Sequence, residues 1–116
     1  MIGIVNLENT SEWYPITAGS NQTIDFNANN PSWDPTGAKL AFDSDILNDG
    51  KRRIFTIDVY DQIDASASGK ISSINQLTPK EAWDPDYSPD GNFIAAMTPG
   101  GIDRIWPDGN ASLISK

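Results

Sequence analysis

The chain alternates between short apolar runs and clusters of turn-forming residues. The runs are rich in Ile, Phe, Val and Thr, are bounded by Gly, Pro, Asp or Asn, and are too short for helices, which is typical of β-strands. No segment shows convincing helical periodicity. We therefore expect an all-β, antiparallel fold. The predicted strands are Lys39–Asp43, Arg53–Val59, Lys70–Leu77, Asn92–Met97 and Ile102–Trp106, preceded by a hairpin of Ile4–Leu7 with Glu12–Thr17.

The turns between these runs repeat one chemical design. In Ser88-Pro89-Asp90-Gly91, Pro presets φ at the second position of a type I turn, and Gly accepts the left-handed conformation that follows. Asp34-Pro35-Thr36-Gly37 and Trp106-Pro107-Asp108-Gly109 follow the same logic. Two further tight reversals are predicted at Asn48-Asp49-Gly50 and Pro99-Gly100-Gly101.

The sequence also contains an internal repeat. A shift of 54 positions aligns Pro31 with Pro85, Trp33 with Tyr87, Pro35 with Pro89, Gly37 with Gly91, Leu40 with Ile94 and Ala41 with Ala95. Later segments match in the same order: Ile54–Ile57 with Ile102–Ile105, and the tails Pro15–Thr17, Gln76–Thr78 and Leu113–Ser115 with one another. An ordered series of matches, separated by loops of variable length, indicates a repeat protein.

Composition narrows the classes of function. The 116 residues suit one small domain, and 38% hydrophobic with 21% charged residues is globular composition. The net charge of −8 argues against nucleic acid and anionic membrane as partners, because both need a basic surface. The absence of Cys and His excludes disulfides, thiol nucleophiles, Ser-His-Asp triads and the commonest zinc ligands.

Targeting signals are not predicted. No apolar run approaches the ~20 residues of a membrane-spanning helix, so we expect no membrane insertion. The N-terminal sequence MIGIVNLENT lacks a basic start and an apolar stretch, so we expect no signal peptide. Either the product is cytoplasmic, or the chain begins inside a larger exported protein.

The order of the motifs resembles the WD-like β-propeller repeat of the TolB family, which also occurs in the propeller domains of prolyl-oligopeptidase-type peptidases. The likeness covers nearly the whole chain, and its Ser-Pro-Asp-Gly signature is specific for the repeat class rather than for a function. One copy comprises Leu77-Thr78, Trp83-Asp84-Pro85-Asp86-Tyr87-Ser88-Pro89-Asp90-Gly91, Ile102, Ile105 and Ile114-Ser115. A weaker copy comprises Pro31-Ser32-Trp33-Asp34-Pro35-Thr36-Gly37, Ile54, Ile57-Asp58 and Leu77-Thr78.

The resemblance implies four-stranded blades. The strand before the Ser-Pro-Asp-Gly turn would be innermost, the strand after it second, the Ile-x-x-Ile strand third and the Leu-Thr strand outermost. Trp33, Trp83 and Tyr87 would then pack between adjacent blades rather than stack on a ligand. The other motif residues would have structural roles in turns and strand crossings: Pro35, Gly37, Asp84, Pro85, Ser88, Pro89, Asp90 and Gly91.

The chain holds too few repeats to close a propeller. Two blades are predicted, at 20–78 and 79–116, after a hairpin at 1–19 that resembles the outer half of another blade. Propellers close with about 4–8 blades, and an open end exposes strand edges and an apolar face. Three explanations stay open: a fragment of a larger propeller, a chain that self-assembles, or a subunit that docks its open face on a partner.

The candidate metal site is the loop from Asp43 to Gly50. Oxygen-bearing side chains spaced by two resemble a calcium loop, with Asp43, Asp45, Asn48 and Asp49 as ligands. The spacing has one extra residue and lacks a distal Glu, so a plain hairpin loop explains the segment better. Asp84, Asp86 and Asp90 are likewise interpreted as turn and crossing residues rather than as a cation site in an axial channel.

These observations favour a non-enzymatic module for protein–protein interaction or self-assembly, with a protein partner or copies of itself and no cofactor. The alternative is the propeller portion of a peptidase or polysaccharide-acting enzyme whose catalytic residues lie outside this chain. A calcium- or glycan-binding propeller is a third hypothesis. The resemblance suggests a periplasmic or extracellular location, although no signal peptide is predicted.

Overall fold

The computed structural model describes residues 2–15, 27–61 and 74–115. They form strands joined into antiparallel sheets, so the all-β prediction is confirmed. The strands are β1 (Gly3–Asn6), β2 (Asn9–Pro15), β3 (Asn29–Trp33), β4 (Lys39–Ser44), β5 (Arg53–Asp58), β6 (Ile74–Gln76), β7 (Trp83–Tyr87), β8 (Ile94–Thr98), β9 (Gly101–Ile105) and β10 (Ala111–Ser115).

Two of the sheets are four-stranded and follow the order of the chain. The first sheet has the strand order β3-β4-β5-β6 and the second has the order β7-β8-β9-β10, whereas β1 and β2 form a separate hairpin. Each four-stranded sheet is an antiparallel meander, as the sequence predicts. The described residues form no closed ring of sheets.

The described chain departs from the predicted strands after β5. This strand ends at Asp58 rather than at Val59, because residues 59–61 form one helical turn. The Asp58 carboxylate caps that turn by accepting a hydrogen bond from the Asp61 N–H at 2.9 Å. The predicted extensions of β2 over 16–17 and of β6 over 70–73 lie outside the described residues.

The two four-stranded sheets repeat each other in backbone geometry. Their equivalent cross-strand pairs, at the offset of 54, are Asn29–Asp43 with Trp83–Met97, Ser32–Ala41 with Asp86–Ala95, and Trp33–Leu40 with Tyr87–Ile94. Both inner strands are irregular at the same place, where Asn30 (φ 55°) and Asp84 (φ 57°) adopt the left-handed conformation. The third strands are equivalent at an offset of 48, since Ile54 occupies the place of Ile102. The repeat read from the sequence is therefore also a structural repeat.

The turns that follow the inner strands are closed by the same hydrogen bonds. The Asp34 N–H donates to the Lys39 carbonyl at 3.0 Å, and the Ser88 N–H donates to the Phe93 carbonyl at 2.9 Å. The side chains then accept the returning N–H groups, Asp34 Oδ1 from Lys39 at 3.0 Å and Ser88 Oγ from Phe93 at 3.2 Å. Asp and Ser are interchangeable here because each offers one oxygen at the start of the turn.

The core lies on both faces of the first sheet. Residues Leu40 and Phe42 alternate with Ala41 along β4, so successive side chains point to opposite faces. One cluster fills the space between the four-stranded sheets: Ala41, Ile54, Leu77, Ala82, Ile94, Ala96 and Ile105. The other covers the far face of the first sheet: Ile2, Ala28, Leu40, Phe42, Phe55, Ile57 and Val59.

A buried carboxylate joins the two four-stranded sheets. Asp43 is fully buried on β4, and its Oδ1 accepts a hydrogen bond from Arg52 Nε at 2.5 Å. Its Oδ2 accepts hydrogen bonds from Asn30 Nδ2 at 2.8 Å and from the Asp84 N–H at 2.7 Å. Asp84 belongs to the irregular part of β7, where the ladder with β8 is interrupted, so its N–H can bond across the sheets. Asp43 therefore holds the loop after β4, the first sheet and the second sheet together.

Replacing Asp43 with Asn should cost about 3 kcal/mol of unfolding free energy. The amide no longer balances the Arg52 guanidinium, and its NH₂ group faces other donors. Chemical denaturation followed by circular dichroism measures the loss. Asp45→Asn is the matched control, because that carboxylate makes an exposed hydrogen bond with Asn27 at 3.3 Å, and its cost should stay within about 0.5 kcal/mol. Equal losses in the two variants would contradict the role of Asp43.

Gly109 marks a close approach between the second sheet and the end of the first. Its φ is +87°, and a Cβ there would lie 2.7 Å from the Leu77 carbonyl oxygen. Gly37 has a similar φ of +74° but no atom within 4 Å of its Cβ position. Gly37→Ala should cost about 1–2 kcal/mol through backbone strain alone. Gly109→Ala should cost about 1–3 kcal/mol more, and equal midpoints of thermal unfolding would show that the approach is not tight.

Candidate interaction face

The second sheet has one face that no described element covers. On β8, Ile94 and Ala96 point into the core between the sheets, so Phe93, Ala95 and Met97 point the other way. Side chains that pair across an antiparallel ladder share a face. The open face therefore includes Trp83, Asp86, Phe93, Ala95, Met97, Ile102, Arg104 and Ser112.

Equivalent positions of the two sheets differ sharply in exposure. Ile54 is fully buried by the second sheet, whereas its equivalent Ile102 is 39% exposed. Leu77, which follows β6, is 6% exposed, whereas its equivalent Ile114 is 48% exposed. The open face and its margin thus carry apolar side chains at places where the first sheet buries its own. Apolar groups grouped in this way on a surface indicate a binding face.

Arg104 lies on β9, beside Ala95 of the open face. Its guanidinium carbon is 4.8 Å from the centroid of the Phe93 ring and 5.8 Å from that of Trp106, which are cation–π distances. Its Nε is buried and has no hydrogen-bond partner among the described residues. The aromatic contacts hold the arginine side chain in place, but its Nε–H donor stays unpaired. Leaving a buried donor unpaired is unfavourable.

Of the three aromatic residues predicted to pack between adjacent sheets, Tyr87 lies between the two four-stranded sheets that the structure describes. It packs against the core between the sheets, and its N–H donates to Ser32 Oγ of the first sheet at 3.1 Å. Burial raises the pKa of its hydroxyl. Trp83 instead lies on the open face, and Trp33 is 47% exposed on the far side of the first sheet. Packing of Trp33 and Trp83 against a further sheet stays a prediction, because alternation assigns a face but not the partner that covers it.

The remaining motif residues form the inner strand and the turns. Pro85 is buried in β7. Asp90 Oδ1 accepts hydrogen bonds from the Asn92 N–H at 3.0 Å and from Ser88 Oγ at 2.7 Å, and these bonds lower the pKa of Asp90. A Cβ on Gly91 would lie 3.2 Å from Pro35 Cδ, so the equivalent turns of the two sheets contact each other. The positions of Gly37 and Pro89 place them in these turns as well.

The predicted calcium ligands are directed to different partners. Asp43 is bound by Arg52, and Asp49 accepts two hydrogen bonds from Arg53 at 3.0 and 2.8 Å. These bonds lower the pKa of Asp49 to about 2. Asp45 accepts its hydrogen bond from Asn27, and the Asn48 N–H donates to the Asp45 carbonyl at 2.7 Å within the turn. In the part of the chain that the structure describes, no three acidic, His or Cys side chains are grouped to hold a metal ion.

Sequence reasoning predicted an exposed apolar face at an open end but did not identify the residues that form it. Its signal was present in the alignment of the repeats. The shift of 54 places Met97 on Asp43, and the offset of 48 places Arg104 on Thr56. At the first position a charged residue of the first sheet is replaced by an apolar one, and at the second a neutral residue is replaced by a charged one. These changes indicate that the two equivalent faces contact different neighbours.

Comparisons with known proteins identify no relative of this chain among family models or curated proteins, since no family model matches it and no curated protein matches it significantly. Among the described residues, no helix has the length and apolar character needed to cross a membrane.

Proposed function

We propose that the chain is a non-enzymatic module for protein–protein interaction or self-assembly, built of TolB-like propeller repeats, and that it binds through the open face. Two four-stranded meanders of the same register, stacked face to face, support this proposal because adjacent propeller blades are arranged in this way. Their first strands lie close together, as the hydrogen bonds from Asp84 to Asp43 and from Tyr87 to Ser32 require.

The observation that carries the proposal is the contrast between equivalent positions. The second sheet removes Ile54 and Leu77 from water, and Ile102 and Ile114 offer the same kind of surface to a further partner. Covering apolar surface gains roughly 25 cal/mol per Å². Trp, Phe, Met and Arg are enriched in protein interfaces, and the open face contains one of each: Trp83, Phe93, Met97 and Arg104.

The non-enzymatic part of the proposal rests on the side chains available for chemistry. The sequence contains no His and no Cys. The carboxylates of Asp43, Asp49 and Asp90 are engaged by arginines or by turn donors rather than facing each other across a cleft. These three carboxylates therefore act as structural acceptors.

Replacing Ile102 with Asp should abolish binding through the open face, because a charge would be buried without a partner. Light scattering and melting temperature at several protein concentrations report self-association, since assembly makes the melting temperature concentration-dependent. Affinity capture from extracts of the source cells reports a different partner. Ile46→Asp is the matched control, because Ile46 is 37% exposed in the loop after β4.

The two variants separate a binding face from an ordinary exposed side chain. Ile102→Asp should lose association while Ile46→Asp behaves as the original chain. If neither self-association nor capture of any protein depends on Ile102, the open face has no binding role and the proposal is contradicted.

A further inference from the structure

The open face carries a row of side chains with opposite charges on the two sides of β8. Asp86 on β7, Ala95 on β8 and Arg104 on β9 are successive cross-strand partners. Neighbouring strands lie about 4.8 Å apart, so the backbone positions of the aspartate and the arginine are about 10 Å apart, with the small Ala95 between them. The row is acidic on one side of β8 and basic on the other.

Neither charge of this row is paired within the described part of the chain. Asp86 is exposed and makes no ion pair with a described residue. Arg104 rests on aromatic rings, and its buried Nε has no hydrogen-bond acceptor among the described residues. A partner that brings a carboxylate to Arg104 and a cation to Asp86 would complete both.

We infer that this partner is a second copy, whose open face packs against the first about a two-fold axis parallel to β8. This inference rests on the proposed function and specifies its occupant and geometry. Rotation about that axis keeps the direction of the strands but reverses their order, so β9 of one copy lies over β7 of the other. Arg104 of each copy then faces Asp86 of the other, and the contact occurs twice, as in any isologous interface. A two-fold axis in the interface plane but perpendicular to β8 would instead set like charges against each other.

The neighbouring row fits the same operation. Trp83, Met97 and Ile102 are successive cross-strand partners on the open face. Reversing this row places Met97 on Met97 at the axis and Ile102 against Trp83 on either side. The half-exposed apolar side chains would thus be covered by apolar side chains, and the charged row by opposite charges.

The chemistry of the open face does not suit a simple repetition of the contact between the two sheets. In that contact, the Asp43 carboxylate accepts the Asp84 N–H of the next sheet. Met97 occupies the equivalent place on the open face and offers no comparable acceptor. A third sheet docked in the same manner would leave its irregular strand with an unpaired N–H. The other hydrogen bond between the sheets runs from the Tyr87 N–H to Ser32 Oγ. Its equivalent on the open face would have an acceptor, because Asp86 occupies the place of Ser32.

Charge reversal tests this geometry. Arg104→Glu and Asp86→Lys should each weaken self-association at least about tenfold, because each places like charges in contact twice. An equimolar mixture of the two variants should associate again, since every contact then joins opposite charges. The double variant Asp86→Lys/Arg104→Glu should associate by itself. Sedimentation equilibrium compares each mass with the 12.6 kDa of one chain, and circular dichroism confirms folding.

The controls reproduce the changes in net charge at other sites. Lys51→Glu, in the exposed loop before β5, and Asp61→Lys, in the exposed helical turn after β5, belong to the first sheet rather than to the open face and should associate like the original chain. If Arg104→Glu does not fold, Asp86→Lys against Asp61→Lys carries the test.

The outcomes distinguish the inference from the proposed function. A chain that stays monomeric overturns the inference, as does an associated chain whose mass survives both reversals or is not restored on mixing. The proposed function survives those results if Ile102→Asp still abolishes association or capture of another protein. It fails only when binding is independent of Ile102.

Discussion

A single buried carboxylate determines how the two sheets meet. Removing Asp43 from water is costly unless an opposite charge and hydrogen bonds compensate it. Arg52 supplies the charge within the first sheet, but one of the hydrogen bonds comes from the Asp84 N–H of the second sheet. The carboxylate is fully satisfied only when β7 docks in one register, so the interaction that allows the charge to be buried also selects the arrangement of the sheets.

The repeated irregularity of the inner strands follows from this constraint. Asn30 and Asp84 occupy equivalent left-handed positions, and Asn and Asp are the residues other than Gly that tolerate this conformation best. In the first sheet the irregularity directs the Asn30 amide to Asp43. In the second it directs the Asp84 N–H to the same carboxylate. One backbone feature, used twice, gives the carboxylate two of its donors from two different strands.

Local sequence was sufficient for the elements and insufficient for the contacts between them. The turns at Asp34 and Ser88, the short apolar strands and the Ile-x-x-Ile equivalence are encoded within a few residues, and the sequence predicts them. The partners of Asp43 lie 9, 13 and 41 residues away, so no periodicity reveals them, and the same aspartate was interpreted as a candidate calcium ligand. The residues of the candidate face were not identified for a related reason, because alternation shows which side chains share a face but not whether that face is covered.

In this repeat, the backbone and the side chains determine different things about a neighbouring sheet. Its backbone register fixes where a neighbouring sheet would lie, and this register is the same in both sheets. The side chains at those positions decide which neighbour fits: a carboxylate at Asp43 requires an N–H from the next sheet, whereas Met97 requires an apolar surface. Because burying an unmatched N–H costs more than one hydrogen bond gains, this one position discriminates against a further sheet of the same kind. The chain thus uses one backbone design for both sheets and distinguishes its internal junction from its exposed face through very few side chains.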